Sequence, residues 1–323
     1  MHFLIYVPIV VSALSALVAW PLAERLPPRT ATWLLTISAV VVAGTSCAAL
    51  GLLAMAAAMR LPMVDALGGM SLRYVIRAEG PASLPVGVIA AGLFGAAALA
   101  AVRAAWLRTA ALVAARREAC SLAGGHQPGS GEQVLTIVDD GVDAYAAPGR
   151  PGRIVITSGM VDALTESERE VLLAHERAHV SASHYLFTAL ARLAAAANPL
   201  LRPLAAAINY SIERWADERA ASVTGSRPLV AHTIAKAALA AAAAPVSRAS
   251  SAAVLAGLTG PSQLGSRGSV PRRVDALLGP PPRRSVVLLT LAIAVLALCG
   301  LAAIDAAGDL HAMVEFAQAA ALS

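Results

Sequence analysis

Long uncharged runs of apolar residues alternate with short charged segments over the first hundred residues, and one more apolar run lies near the end of the chain. A helix needs about 20 apolar residues to cross the roughly 30 Å hydrocarbon core of a bilayer. Four runs are long enough to do so: Phe3–Ala23, Ala31–Met59, Leu84–Val102 and Ser285–Ile304. We therefore predict a multi-pass membrane protein with four transmembrane helices.

The composition agrees with this pattern and concentrates the charged residues in one segment. Of the 323 residues, 58% are hydrophobic and 14% are charged, and the mean hydropathy is +0.67, which is too apolar for an ordinary soluble enzyme. Residues 103–284 hold 34 of the 45 charged residues. We therefore predict three transmembrane helices in 1–102, a polar domain in 103–284, and a fourth transmembrane helix with a short tail in 285–323.

Basic residues near the ends of the apolar runs predict how the chain is oriented. Arg25 and Arg29 lie between the first two runs, Arg103 and Arg108 follow the third, and Arg284 precedes the fourth. Because positively charged segments remain on the cytoplasmic side, we expect a protein of the cell membrane with its polar domain in the cytoplasm. The N-terminus and the tail would then lie outside. The basic excess suits contact with anionic lipid headgroups, and we expect no direct binding of nucleic acid.

Within the polar domain, short β-prone runs come before helical segments. The runs VLTIV, DAYAA and RIVIT are separated by turn residues and predict a small antiparallel sheet. Thr165 and Glu168 form the Thr-x-x-Glu pattern of a capping box, which predicts a helix start before an apolar run. Segments 121–133 and 247–269 are typical of flexible connectors. Three further helices are expected to begin at about Leu186, Ile208 and Leu229.

The motif VLLAHERAH places rare polar residues on the helix that is predicted to begin at the capping box. His175 and His179 are four residues apart and project from the same helix face, so both imidazoles can reach one metal ion. Glu176 stands beside that ion without binding it. There, a carboxylate can take a proton from water that zinc has acidified, which prepares the water to attack an amide carbonyl. A catalytic zinc site still needs a third protein ligand.

The later motif ERWAD supplies candidates for that ligand. Glu213 and Asp217 are again four residues apart on one helix face. One carboxylate can bind the metal while the other accepts a hydrogen bond from a ligand imidazole. The alternative is a solvated helix face on which they pair with Arg214 or Arg219. The combination of the two motifs is far more specific than either motif alone.

HERAH followed by ERWAD resembles the integral-membrane zinc peptidases of the gluzincin type, which include the HtpX and CAAX-protease family and the β-lactam sensor-transducer family. The stretch from Asp143 to His179 resembles their sheet and following helix, and RRVDALL, Arg272–Leu278, resembles a segment that they carry after the catalytic helices. The likeness covers about Val134 to Leu278, and the order of spans matches the sensor-transducers best. It implies a mainly α membrane protein with a cytoplasmic α+β zincin-like catalytic domain inserted between transmembrane helices three and four.

The resemblance also implies roles for individual residues. One Zn²⁺ per chain would be bound by His175, His179 and Glu213. Glu176 would be the general base, and Asp217 would orient a ligand imidazole. After the fourth apolar run only about 20 residues remain. We therefore expect no extracellular penicillin-binding domain, which argues against direct β-lactam sensing.

Four other residues are candidates for supporting roles in such a site. His232 and Arg219 are candidates for stabilising an oxyanion, and Tyr145 for contacting substrate, because a strand can pair with an extended peptide. A structural role is the alternative for each of them. His184 lies five residues after His179, about 100° of helix rotation from the i+4 position, which favours a supporting role over metal binding.

These observations favour a zinc endopeptidase that cuts a protein or peptide substrate at the cytoplasmic face in signal-responsive proteolysis. A transcriptional repressor or the protein's own linker is the substrate that the resemblance implies. An HtpX-like quality-control protease of membrane proteins is the alternative among enzymes. A non-catalytic signalling or scaffold protein that retains the zinc fold is the alternative of another class. The alanine and arginine bias, with Lys236 as the single lysine, is typical of a bacterium with a GC-rich genome.

Overall fold

The computed structural model describes residues 4–58, 84–122, 133–147, 152–244, 269–281 and 285–322. Its strands are β1 (Gln133–Ile137), β2 (Ala144–Ala147) and β3 (Arg153–Thr157). The predicted connectors at 121–133 and 247–269 lie almost wholly outside the described residues. Its helices are α1 (Val7–Arg25), α2 (Pro28–Ala58), α3 (Leu84–Leu122), α4 (Ser158–Ala163), α5 (Glu166–Ser181), α6 (His184–Ala197), α7 (Arg202–Thr224), α8 (Arg227–Ala243), α9 (Val270–Leu278) and α10 (Val286–Leu322).

The described part of the chain is mainly helical, and three of the predicted membrane helices are present. Among the described residues, α1, α2 and the Leu84–Ala114 part of α3 are long and apolar enough to cross a membrane. The fourth predicted run lies on α10, whose described apolar part, Val286–Ala302, is shorter than the other three. A fourth crossing therefore stays a prediction.

The strands form a sheet in the order β1–β3–β2, and the predicted antiparallel pairing is only half correct. β2 pairs with β3 antiparallel, whereas β1 pairs with β3 parallel. The reason lies in the turn after β1. Asp139 exchanges hydrogen bonds with Ser158 and accepts one from the N–H of Gly159, at the start of α4, instead of closing a hairpin. The chain thus passes the end of β3 and returns on its other side, which makes β2 an edge strand.

Local sequence explains where the helices of the polar segment begin. Glu168 accepts a hydrogen bond from the backbone N–H of Thr165 at 2.8 Å, which completes the predicted capping box of α5. Asn198 caps the short 3₁₀ turn that precedes α7. Pro203 then occupies the first turn of α7, where a missing N–H leaves no hydrogen bond unmade. For this reason α7 begins earlier than the predicted start near Ile208.

The α6–α7 hairpin, formed by α6, the 3₁₀ turn and α7, packs against the membrane helices. α6 contacts α2 and α3, and α7 contacts α1 and α2. Leu35 of α2, Phe187 of α6 and Ile208 of α7 belong to one apolar core. At the turn of the hairpin, Asn198 Nδ2 donates a hydrogen bond to Ser12 Oγ of α1 at 2.8 Å. Part of the polar segment therefore shares a core with the membrane helices.

Two smaller cores fix α5 in place. In one, Ile154 of β3 and Met160 of α4 pack with apolar residues of α5. In the other, Val171 of α5 packs with Ile234 of α8 and Leu277 of α9. α5 also contacts α7 along its length. The helix is thus held on several sides, which fixes the positions of the side chains that it presents to α7.

Candidate metal centre

The contact between α5 and α7 brings the two sequence motifs together. His175 and His179 lie one turn apart on α5, and Glu213 and Asp217 lie one turn apart on α7. Their side chains are 10%, 11%, 9% and 1% exposed, respectively. Buried ionisable groups are stable only when they are paired or bind a metal. The four residues serve as partners for one another.

Three side chains bring donor atoms to one point of this contact. The Nε2 atoms of His175 and His179 are 3.1 Å apart. Glu213 places its Oε2 3.6 Å from the first of these nitrogens and its Oε1 3.7 Å from the second. Two imidazole nitrogens bound to a tetrahedral zinc ion would be about 3.3 Å apart, close to the observed separation. The residues His175, His179 and Glu213 therefore fit a zinc ion both in chemistry and in spacing.

Asp217 sets the orientation of His175. Its Oδ1 lies 3.0 Å from Nδ1 of the imidazole, so the ring turns its Nε2 toward Glu213 and His179. A carboxylate in this position also raises the basicity of an imidazole that binds a metal.

Arg273, on α9, is a part of this site that the motifs did not reveal. The guanidinium is fully buried, and its Nε and Nη2 donate to the two oxygens of Asp217 at 2.8 and 2.6 Å. Its Nη1 lies 3.0 Å from Oε2 of Glu213. Burial acts to raise both carboxyl pKa values, but Arg273 together with the neighbouring histidines outweighs it, so the pKa of Glu213 falls to about 2 and that of Asp217 falls well below its usual range. The likeness of RRVDALL to a peptidase segment was the one signal that could have indicated this residue.

His184 contacts the ring nitrogen of His179 that does not face the metal centre. It is 2% exposed, and its Nδ1 lies 3.0 Å from Nδ1 of His179. When His179 donates its Nδ1 proton to His184, its Nε2 is left with a lone pair directed at the centre, as a metal ligand requires. Trp215 packs against the His184 ring with the centroids 4.7 Å apart. The ring of His184 is thus held in place between α5 and α7.

Glu176 is buried next to His175. Burial raises the pKa of its carboxyl to about 7, with Glu213 and Asp143 acting in the same direction and His175 opposing them. A general base is most effective when its pKa lies near the working pH. The position and the pKa of Glu176 both suit proton transfer near neutral pH.

The electrostatic field at the centre favours a cation. Burial lowers the pKa of His179 to about 4, so its imidazole is neutral at pH 7. Burial also acts to lower the pKa of His175, but Asp217 and Glu213 outweigh it and raise this pKa to about 10. Two ionised carboxylates against the single guanidinium of Arg273 leave a net negative charge around the point where the donor atoms meet. A divalent cation that prefers nitrogen and oxygen ligands, such as zinc, matches this field.

The other predicted candidates lie outside the cluster of donor atoms. His232 is largely exposed on α8, with Nε2 3.4 Å from Oε1 of Glu168 at the start of α5. Arg219 is exposed on α7, and Tyr145 lies half-buried on the edge strand β2, which packs beside α5. The oxyanion and substrate contacts assigned to His232, Arg219 and Tyr145 stay predictions.

Comparison with known proteins supports the chemistry of this centre. Residues 103–255 match the model of Peptidase family M48, a family of zinc-dependent metallopeptidases. The matched range contains both motifs and ends before Arg273. No curated protein and no solved structure matches the chain significantly. The family match supports a membrane-type zinc metallopeptidase and does not distinguish the sensor-transducer type from the HtpX type.

Proposed function

We propose that the protein is a membrane-anchored zinc endopeptidase that hydrolyses peptide bonds of protein substrates at the cytoplasmic face of the cell membrane. The observation that carries this proposal is the convergence of His175, His179 and Glu213 on one point, with Glu176 buried beside it. The family match and the three apolar helices support the same conclusion.

The residues of the centre divide the work of peptide hydrolysis among them. A zinc ion held by His175, His179 and Glu213 would supply a Lewis acid that polarises an amide carbonyl and acidifies water. Glu176 takes a proton from the attacking water and then passes it to the leaving amine. Asp217 and His184 keep the two imidazoles oriented, each through the Nδ1 atom of its partner. Arg273 balances the charge of the buried carboxylates.

The cytoplasmic placement rests on basic residues near the centre. Arg214, next to Glu213, donates a hydrogen bond to the backbone carbonyl of Ala23, at the end of α1, at 2.5 Å. The guanidinium of Arg29, at the start of α2, lies 5.7 Å from the ring centroid of Trp215. The centre thus adjoins the turn between α1 and α2, and a short basic turn between two spans remains on the cytoplasmic side.

Within this activity we favour signal-responsive cleavage of a regulatory protein, such as a transcriptional repressor, or of the protein's own linker. The order of apolar runs around the polar segment, which resembles the sensor-transducers, supports this role. Co-expression with a candidate repressor and detection of its cleavage would test the role. Cleavage of misfolded membrane proteins alone would instead favour quality control.

Zinc content and peptide cleavage, measured on the purified full chain in detergent, test the proposed activity. Wild type and Glu176→Gln should each bind about one zinc per chain, whereas Glu213→Ala should lose it. Glu176→Gln should cleave a quenched fluorescent peptide library about 10²- to 10⁴-fold more slowly than wild type. Glu170→Gln removes an exposed carboxylate from the same helix and should retain both properties.

The variants also separate the proposed enzyme from a non-catalytic scaffold. Wild-type protein without zinc would overturn the proposal. Full cleavage by zinc-bound Glu176→Gln would remove Glu176 from the mechanism. The protein would instead be a scaffold if wild type and Glu176→Gln both bind zinc and both produce the same effect in cells.

A further inference from the structure

A cavity of about 610 Å³ lies between the end of α1, α7, α9 and the segment that follows α9. None of the proposed metal ligands lines it. Its charged and aromatic lining consists of Glu24, Arg25, Tyr210, Arg214, Arg272 and Asp275. Three guanidinium groups against two carboxylates give the cavity a net positive charge. Its volume lies within the range of sites for small ligands, which is about 300–1,000 Å³.

Arg214 contributes a buried charge to this cavity. The residue is 4% exposed, and its Nη1 donates to the backbone carbonyls of Ala23 and Glu24. Within the described part of the chain, its Nε is buried and has no hydrogen-bond partner. Removing a cation from water is costly unless an anion or further acceptors compensate for it. An anion in the cavity would provide that compensation.

Arg272 is available to bind an anion. Its side chain is 51% exposed, and its guanidinium lies 4.6 Å from the ring centroid of Trp20. The distance of 3.8 Å from its Nη1 to Oε1 of Glu24 is too long for a hydrogen bond. The paired N–H groups of a planar guanidinium match the paired oxygens of a phosphate. Arg25 is exposed at the rim of the same cavity.

The position of the cavity relates it to the membrane surface. It opens beside the end of α1, one of the apolar helices long enough to cross a bilayer. Leu17 and Val18, less than two turns before Trp20 and Glu24, are exposed apolar side chains. Trp20 itself pairs with Tyr210, with ring centroids 5.4 Å apart. Aromatic rings next to arginines at the end of a span are typical of the level of the lipid headgroups.

We propose that this cavity binds the phosphate of an anionic phospholipid headgroup, with Arg25, Arg214 and Arg272 as its ligands. A soluble phosphate offers the same chemistry, so the test distinguishes the two sources. The proposal concerns a site apart from the metal centre and does not depend on proteolysis.

Binding of dioctanoyl phosphatidylglycerol to the full chain in neutral detergent, followed by native mass spectrometry and by melting temperature, tests the proposal. Wild type should bind it saturably and more tightly than dioctanoyl phosphatidylcholine. Arg25→Gln combined with Arg272→Gln should weaken binding by about tenfold or more, because charge-assisted hydrogen bonds are lost. Arg29→Gln removes an exposed charge from the same end of the bundle outside the cavity and should bind as wild type does.

A second variant distinguishes loss of the lipid-binding site from misfolding. Asp275→Asn removes a negative charge from the exposed lining and should tighten binding by roughly two- to fivefold. Competition by inorganic phosphate at a similar affinity would support the site and assign it to a soluble phosphate. Equal binding of the two lipids by wild type, or undiminished binding by the double variant, would overturn the proposal.

Discussion

Arg273 donates a hydrogen bond to each carboxylate oxygen of Asp217, at 2.8 and 2.6 Å, although 56 residues separate the two in the sequence. Through this pair, α9 is attached to α7, the helix that carries Glu213. Because both partners are buried, neither can exchange the other for water. The geometry of the centre thus depends on a residue outside both sequence motifs.

Replacing Arg273 by glutamine should destabilise the protein by about 3–5 kcal/mol, because Asp217 and Glu213 would remain buried without a counter-charge. Denaturant unfolding of the detergent-solubilised protein measures this change. Arg219→Gln, which removes an exposed arginine from α7, should stay within about 0.5 kcal/mol of wild type. An Arg273→Gln protein as stable as the Arg219→Gln control would show that the buried pair does not stabilise the fold.

Truncating His184 should weaken zinc binding without removing a ligand. In His184→Ala, Nδ1 of His179 loses its partner at 3.0 Å and the imidazole loses its fixed orientation. The loss of such a supporting contact typically weakens metal affinity by about 10- to 100-fold. Competition with a chromogenic chelator measures the affinity. His232→Ala, a change at an exposed histidine, should leave it unchanged. Equal zinc affinities for the two variants would contradict the role of His184.

Glu168 should make stability depend on pH in the acid range. Hydrogen bonds from Lys236 and from the backbone of Thr165 lower the pKa of this carboxyl to about 2, from an ordinary value of 4.5. Its ionised form therefore stabilises the fold above about pH 4.5, and this contribution disappears as the pH falls toward 2. At neutral pH the melting temperature of wild type should be higher than that of Glu168→Gln, and the difference between the two melting temperatures should decrease as the pH falls. Glu166→Gln, at an exposed position, should show no such difference. A difference that is independent of pH would refute this assignment.

The contact between Ser12 and Asn198 should be measurable as a coupling energy. Hydrogen bonds between membrane helices contribute about 0.6 kcal/mol on average and up to about 1.7 kcal/mol. A double-mutant cycle of Ser12→Ala and Asn198→Ala should therefore be non-additive by that amount. Thr45→Ala, whose hydroxyl bonds only within α2 among the described residues, should add independently to Asn198→Ala. Additive losses for Ser12 and Asn198 would mean that the hairpin turn is not held by this bond.

The sequence predicted the parts of the centre that follow helical periodicity. His175 and His179, like Glu213 and Asp217, are four residues apart, and that spacing alone places each pair on one face. The capping box located the start of α5 because its two side chains bond within a single turn. Apolar runs located α1, α2 and α3 because composition over about 20 residues decides whether a helix suits the bilayer.

Features that depend on distant residues could not be predicted in this way. Arg273 is one of 25 basic residues, and no local pattern marks it as the buried one. The parallel pairing of β1 depends on hydrogen bonds between Asp139 and the start of α4, which a strand pattern does not contain. The packing of the α6–α7 hairpin on α1 and α2 was equally hidden, because alanine-rich helices carry little periodic signal.

The length of the α6–α7 hairpin determines whether the polar segment can be separated from the apolar helices. Asn198 touches Ser12, which lies thirteen residues before Arg25, so the hairpin turn sits about 20 Å along α1 from its end. The helix α7, which carries Glu213, is therefore packed among the apolar helices. A fragment that starts near residue 103 would leave the apolar sides of Phe187 and Ile208 uncovered, and we expect it to aggregate instead of working as a free protease. The apolar helices and the helix that carries the candidate metal ligand Glu213 share one core, so we expect them to fold together.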